Sequence, residues 1–294
     1  MGGLLKRAVK FIIKGVPQVN IQNKIVQVNI DKSFDGKSII VTGGSRGIGY
    51  SIAEKLLSGG AEIVITGRNE KTLKSATSSL GGRCHYVVSD AGDIQSCLTL
   101  IKESEKLFSN GRVDGLVNNA GISLHEGNFR NVSVENFDKQ FDVNLKGPYF
   151  LIQSAIKYFE DNNIPGNIIV ITSERGVFCD DLPYGLSKSA ISSYVGGVAK
   201  RSAIEGIRIN AIAPGLTGTD LIESQDYKNG NSFAMSQTGG RIFAPEEMAE
   251  VVAFLMSDSS KCINGQVLVC NCGNSINSVA NTQQINTNYF KNQI

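Results

Sequence analysis

No apolar run in this chain approaches the roughly 18 residues that a membrane-spanning helix needs, which excludes a transmembrane segment as its organising element. Metal-ligand spacing is also missing. Of six cysteines only those of Cys270-Asn271-Cys272 stand close together, and no second Cys/His cluster accompanies them, so the run reads as the end of a strand. The N-terminal stretch does not read as a secretory signal, because lysines interrupt its apolar residues and no small-residue cleavage site follows. Six cysteines without such a signal imply free thiols in a reducing compartment, and hence a cytoplasmic protein. Met1-Gly2 lacks the Ser or Thr at position 6 that myristoylation requires. A strong charge imbalance is lacking too: the formal net charge is +2, which gives no global case for nucleic acid. The one local imbalance is at the start. Residues 1–30 hold Lys6, Arg7, Lys10, Lys14 and Lys24 and no acid, which leaves the remainder at about −3.

Those first residues have a clear pattern. Leu4, Leu5, Ala8, Val9, Ile12, Ile13 and Val16 share one helical face and the basic residues the other, with Gly15 and Pro17 as the stop. Such a helix can pack on its own domain, pack on a second subunit, or make peripheral contact with an anionic membrane through residues 4–16. Residues 18–30 alternate weakly, as in a hairpin or an extended arm.

From residue 36 the pattern becomes regular. Apolar runs predict strands at 38–42, 61–66, 83–88, 113–118, 166–172, 206–212 and 266–270. Helical periodicity fills the gaps at 47–58, 70–80, 93–108, 134–160, 185–204 and 245–256. Strands alternating with helices make βαβ units, and the expected fold is one α/β domain: a doubly wound, parallel, seven-stranded sheet over residues 36–280, with an N-terminal arm (1–35) and a polar tail (281–294). In such sheets ligands sit beyond the C-terminal strand ends, which makes the weakly periodic segment 221–240 a candidate lid.

The chemistry starts at Thr42-Gly43-Gly44-Ser45-Arg46-Gly47-Ile48-Gly49, between the first strand and the first helix of this alternation. A glycine-rich turn there is the arrangement that puts a pyrophosphate on a helix N-terminus; a glycine-rich loop without a ligand is the alternative. Gly43 permits the tight turn, Gly47 lets backbone approach the ligand, and Gly49 lets helix pack on strand. The second strand ends Ile65-Thr66-Gly67-Arg68, without the acid that would bond the ribose hydroxyls of NAD. Arg68 and Arg46 instead offer planar guanidinium forks to the 2′-phosphate of NADP, so NADP(H) is favoured over NAD(H). Asp90 could bond the adenine amino group or cap the following helix, a job for which Asp93 competes. Asn118-Asn119-Ala120-Gly121 closes the fourth strand with small residues and amides that let backbone pass a cofactor; a turn without a ligand is the alternative.

Tyr184-Gly185-Leu186-Ser187-Lys188 opens a helical pattern, and a spacing of four puts phenol and ammonium on one face. A free phenol titrates near 10. A neighbouring ammonium is expected to lower it and so make Tyr184 a proton donor to a ketone or an acceptor from an alcohol. Ser173 ends the fifth strand and could orient a substrate oxygen. Asn144 is a buried polar candidate within the predicted helix 134–160.

Taken together these motifs resemble the short-chain dehydrogenase/reductase family over about residues 36–276. The family's TGxxxGxG appears as Thr42 to Gly49, its NNAG as Asn118 to Gly121, its YxxxK as Tyr184 to Lys188 and its PGxxxT as Pro214-Gly215-Leu216-Thr217-Gly218-Thr219. The resemblance implies a catalytic tetrad of Asn144, Ser173, Tyr184 and Lys188. Tyr184 would pass the proton, Ser173 hold the carbonyl oxygen, Lys188 bind the nicotinamide ribose and Asn144 hold a relay water. Cofactor contacts would come from Gly43, Ser45, Arg46, Gly47, Ile48, Gly49, Arg68, Asp90, Ala91, Asn119, Ala120, Gly121, Tyr184, Lys188, Pro214 and Gly215, with Thr217 and Thr219 at the nicotinamide end. The implied function is an NADP(H)-dependent reductase of a small-molecule or carrier-bound ketone, most similar to 3-oxoacyl-carrier-protein reductases, working as a homodimer or homotetramer. An NAD-linked sugar or alcohol dehydrogenase and a non-catalytic scaffold tethered by its N-terminal helix are the alternatives. The chain departs from the family in three places. Ser173 is only 11 residues before Tyr184; Val269-Cys270-Asn271-Cys272-Gly273 replaces a VDGG-like run that commonly supports subunit packing; and residues 1–35 have no counterpart in the minimal domain.

Overall fold

The computed structural model describes residues 22, 31–219, 231–234 and 236–276. The expected N-terminal helix at 4–16, the arm beyond it, most of the candidate lid and the tail at 281–294 lie outside the described residues.

Seven strands form one parallel sheet: β1 (Ser38–Thr42), β2 (Glu62–Gly67), β3 (Cys84–Val88), β4 (Gly115–Asn118), β5 (Asn167–Ile171), β6 (Arg208–Pro214) and β7 (Val267–Cys270). Their spatial order is β3-β2-β1-β4-β5-β6-β7. The order reverses between β1 and β4, where Val41 pairs with Val117. At such a switch point the two outgoing connections diverge to opposite faces and leave a crevice between them.

Both faces of the sheet are buried, and alternate residues serve opposite cores. Ile39, Val41, Ile63, Ile65 and Val117 point to one side, where α1 (Gly47–Ser58) and α7 (Pro245–Met256) pack with Ile52, Leu56 and Val252. Ile40, Val64, Leu116, Ile168 and Val170 point to the other, against α3 (Ile94–Glu105), α5 (Gly147–Asp161) and α6 (Pro183–Ser202). This double burial explains why the strands read as continuous apolar runs. Helix starts obey local capping chemistry: Asn69 caps α2 (Glu70–Leu80), and Ser133 caps α4 (Val134–Phe141).

Predicted and observed element ends agree within about three residues, with one irregularity that the pattern does not show. Residues 134–160 are helical throughout, as expected, but not as a plain α-helix. A π turn at Asp142–Lys146 separates α4 from α5. The extra residue in that turn shifts the facing of α5 relative to α4, and Asn144 is buried inside it. Gly147 then lets α5 begin against the loop after β3, since a Cβ on it would lie 1.7 Å from the Ala91 carbonyl oxygen.

Candidate active site

The switch point opens into a cleft of about 770 Å³ at the C-terminal strand ends, a volume suited to a small-molecule or cofactor site. Its floor and walls come from the glycine loop, the ends of β2 and β3, the loop after β4, the end of β5, α6 and the loop after β6. Gly43, Ser45, Arg46, Gly47, Ile48, Arg68, Asp90, Ala91, Asn119, Ala120, Gly121, Ser173, Tyr184, Lys188, Pro214, Gly215, Thr217 and Thr219 all line it. Gly49 and Asn144 stand behind the wall.

In the glycine loop Gly43 and Gly47 adopt φ of +64° and +55°, in the left-handed region where a side chain is strained. Gly49 is a packing requirement: a Cβ there would meet the Gly43 carbonyl oxygen at 2.4 Å. The α1 N-terminus has no capping bond from the Arg46 side chain and no acid in its first turn. The positive end of its dipole therefore has no built-in counter-charge and suits a phosphate. Arg46 and Arg68 are both exposed at the rim of the cleft, near Asn69 and Thr72, with no carboxylate lining the end of β2. These residues fit a dinucleotide.

The two candidates after β3 separate cleanly. Asp93 caps α3, accepting from Gln95 N at 3.0 Å. Asp90 closes a turn on Gly92 N at 2.9 Å and lines the cleft. After β4, Asn119 turns its amide onto the glycine loop, donating to the carbonyl oxygens of Thr42 (2.9 Å) and Gly43 (3.2 Å). Thr42, which opens the glycine motif but to which sequence reasoning gives no role, completes this clasp: its Oγ1 accepts from the N–H groups of Asn119 and Ala120 at 2.9 and 3.0 Å. A threonine ending a strand carries no signal of that role.

On the opposite wall, α6 starts at Pro183, two residues before the expected start, so Tyr184 and Lys188 both stand in its first turns. The Lys188 ammonium donates to the Ile171 carbonyl oxygen at 3.0 Å and lies 5.9 Å from the centre of the Tyr184 ring. Burial brings its pKa down to about 8. Tyr184 does not match the expected depression: burial, the largest influence, raises its phenol above the ordinary value. A hydrogen bond with Ser173 and the charge of Arg175 pull the other way, while Asp180 and Glu174 add to the rise. Lys188, directed at Ile171, is not among these influences. Asn144 holds the backbone of Ile122 by two bonds and donates to Ser187 Oγ at 3.3 Å. Gly121 leaves room for this meeting, since a Cβ there would lie 3.2 Å from both Asn144 Oδ1 and Lys188 Nζ.

The short loop between Ser173 and Tyr184 is clasped by Arg175 and Asp180, at 2.5 and 2.7 Å. Glu174 also lines the cleft, and the run that replaces the VDGG-like motif is bound to it through Asn271. Sequence reasoning does not reach Glu174, because its partners lie beyond β7. Among the described residues no group of His, Cys, Asp and Glu could hold a metal ion, and no helix is long and apolar enough to cross a membrane.

A family model described as enoyl-(acyl carrier protein) reductase matches residues 43–275. The chain belongs to the short-chain dehydrogenase/reductase family. As a short-chain dehydrogenase/reductase it is an oxidoreductase acting on CH–OH groups and the corresponding carbonyls. It is similar to the 3-oxoacyl-(acyl-carrier-protein) reductase of Rickettsia bellii, with 34% identity over 82% of this chain and 97% of that one. It is about equally similar to an L-rhamnose 1-dehydrogenase (NADP(+)) of Thermoplasma acidophilum, at 33% identity over 83% of this chain and 98% of that one. Among solved structures, the 3-ketoacyl-(acyl-carrier-protein) reductase of Brucella melitensis complexed with NADH matches with a TM-score of 0.75 and 28% identity, over 82% of this chain and 99% of that one. The relatives thus span two substrate classes and two nicotinamide cofactors.

Proposed function

We propose that this short-chain dehydrogenase/reductase is an NADP(H)-dependent enzyme that reduces a ketone to a secondary alcohol, in the manner of 3-oxoacyl-carrier-protein reductases. The observation that carries the reading is that Ser173, Tyr184 and Lys188 share one wall of the cleft while the glycine loop forms another. When bound, the nicotinamide supplies or accepts the hydride. Tyr184 gives its proton to the carbonyl oxygen in reduction and takes it back in oxidation. A phenol raised by burial stays protonated at neutral pH, which suits the donor role. Ser173 holds the same oxygen by its hydroxyl. The Lys188 ammonium, held by the Ile171 carbonyl oxygen, meets the nicotinamide ribose. Asn144, fixed by Ile122, holds a relay water.

In this reading Gly43, Ser45, Gly47 and Ile48 receive the pyrophosphate, and Gly49 packs behind them. Arg46 and Arg68 clamp the 2′-phosphate, and Asp90 and Ala91 face the adenine. Asn119, Ala120 and Gly121 pass beside the cofactor, and Pro214, Gly215, Thr217 and Thr219 close over the nicotinamide end. The catalytic unit spans 36–280 in a cytoplasmic homodimer or homotetramer, with residues 4–16 resting on protein or on a membrane surface. Liposome co-sedimentation tests the last point: equal pelleting of the full chain and a chain starting at Lys32 removes the membrane role.

The central test is a screen of NADPH and NADH oxidation over ketones, including acyl-carrier thioesters. NADPH is expected to bind more tightly; NADPH binding no tighter than NADH overturns the arginine argument. A second reading, oxidation of a sugar or alcohol, is favoured by the similarity to the L-rhamnose dehydrogenase. The same screen run with polyols and the oxidised cofactors separates the two.

A further inference from the structure

Glu174 stands one residue beyond Ser173 on the cleft wall and is only 8% exposed. Its Oε2 accepts from Asn271 Nδ2 at 3.0 Å and from Asn274 Nδ2 at 3.1 Å. Both asparagines lie just beyond β7. Asn271 is itself buried and packs on Gly215. Asn274 Oδ1 accepts from the N–H and the hydroxyl of Thr238, at 3.2 and 3.1 Å. One carboxylate oxygen is thus fixed by amides from a distant part of the chain.

The other oxygen, Oε1, accepts no hydrogen bond from the described residues. It is not one of the fully buried polar atoms left without a partner, so it keeps contact with open space, and the open space at Glu174 is the cleft. A carboxylate this buried with one unserved oxygen carries a desolvation penalty that an incoming donor would relieve. The surrounding charge narrows what that donor can be. Arg175 is engaged bidentately by Asp180 and does not neutralise Glu174. The Arg175–Asp180 pair cancels, so the open carboxylate oxygen of Glu174 itself repels a substrate carboxylate or phosphate, while the Lys188 ammonium lining the same cleft disfavours a cation. A neutral hydroxyl satisfies both conditions, and Ser123 and His125 continue the polar lining.

We propose that Glu174 is a specificity-determining residue whose Oε1 accepts a hydrogen bond from a substrate hydroxyl beside the reacting carbonyl, so that the substrate is a neutral hydroxylated ketone and the product its polyol. This rests on the carbonyl-reductase reading above and selects among the substrate classes that reading leaves open.

The test pairs two substrates with two variants. Wild type, Glu174→Ala and Glu174→Gln are assayed with NADPH on 1-hydroxybutan-2-one, butan-2-one and an acetoacetyl thioester of N-acetylcysteamine. Glu174→Gln can keep both asparagine bonds through its carbonyl oxygen while presenting NH2 to the cleft, so it serves if the alanine variant does not fold. The wild type is expected to prefer the hydroxylated ketone by about 10- to 100-fold in kcat/KM, the range for a hydrogen bond to a charged group. Both variants are expected to lose most of that preference while retaining butan-2-one turnover. Absence of a preference in the wild type, an equal fall on both ketones, or faster turnover of the thioester than of the hydroxyketone overturns the proposal. If no carbonyl compound is reduced with either cofactor, the reductase reading fails instead, and ligand-observed NMR with xylitol judges Glu174 separately. Xylitol binding seen in wild type and lost in the variants supports the role; equal binding, or none in wild type, overturns it.

Discussion

Asn144 and Ile122 exchange two hydrogen bonds of 2.8 Å, the side-chain amide of one closing on the backbone N–H and C=O of the other. The pair joins the π turn to the loop after β4 and fixes which way the amide faces. Asn144→Ala leaves both Ile122 groups without that partner. A stability loss of about 1–3 kcal/mol is expected from urea unfolding, together with a fall in kcat on the order of 100-fold from lost positioning. Asn144→Asp, which retains an acceptor for the Ile122 N–H but not a donor to its carbonyl, should fall between.

Tyr184→Phe removes the proton donor and leaves the helix intact. Turnover should fall by about 100- to 10,000-fold, with NADPH affinity, read by fluorescence titration, little changed. Unchanged turnover would return the protein to the scaffold class.

Lys188 gives a pH signature in the cofactor-free protein. Its folded pKa of about 8 lies below the ordinary 10.5, so the unfolded chain binds more protons between these values and stability rises with pH across that window. Below about 8 the cost of the buried charge is fully present. Lys188→Met removes it and should stabilise the fold at pH 7 by on the order of 3 kcal/mol, less the lost bond to Ile171. The gain should shrink as pH climbs from 8 toward 10.5. Melting temperatures of both proteins across pH 6.5–10.5 check the sign.

Arg46→Ala and Arg68→Ala should each weaken NADPH binding by about 10- to 100-fold and leave NADH nearly unaffected, since each removes one charge-assisted contact to the 2′-phosphate. Isothermal titration with both cofactors measures the difference. Parallel losses for NADPH and NADH would place the arginines elsewhere on the dinucleotide.

Gly49→Ala tests the packing behind the loop. The added methyl group meets backbone, the Gly43 carbonyl oxygen, and not a yielding side chain. A destabilisation of about 1–3 kcal/mol is expected, with weaker binding of either cofactor.

How much the sequence reveals depends on the range of the interactions. The strands are legible because burial on both faces makes each an apolar run, and Tyr184 and Lys188 are legible because four residues is one helical turn. The π turn is not: the periodicity of 134–160 differs from a plain helix by one inserted residue, too little to register against its apolar stripe. The phenol's titration runs opposite to expectation because spacing reports that Lys188 is near, whereas burial and the Ile171 carbonyl decide what it does. Glu174 is invisible because its partners lie 97 and 100 residues away. The choice between Asp90 and Asp93 needs only the local turn, and the sequence narrows it to those two.

The bonds from Asn271 and Asn274 to Glu174 also set an order of events for a chain emerging from the ribosome. The strands β1 to β6 and the glycine loop are synthesised well before residue 271, so the nucleotide half can form early on a nascent chain. The wall that would face the substrate stays unfinished until the last strand has joined the sheet, and selection of a substrate hydroxyl by Glu174 is thereby deferred until residue 274 has left the ribosome.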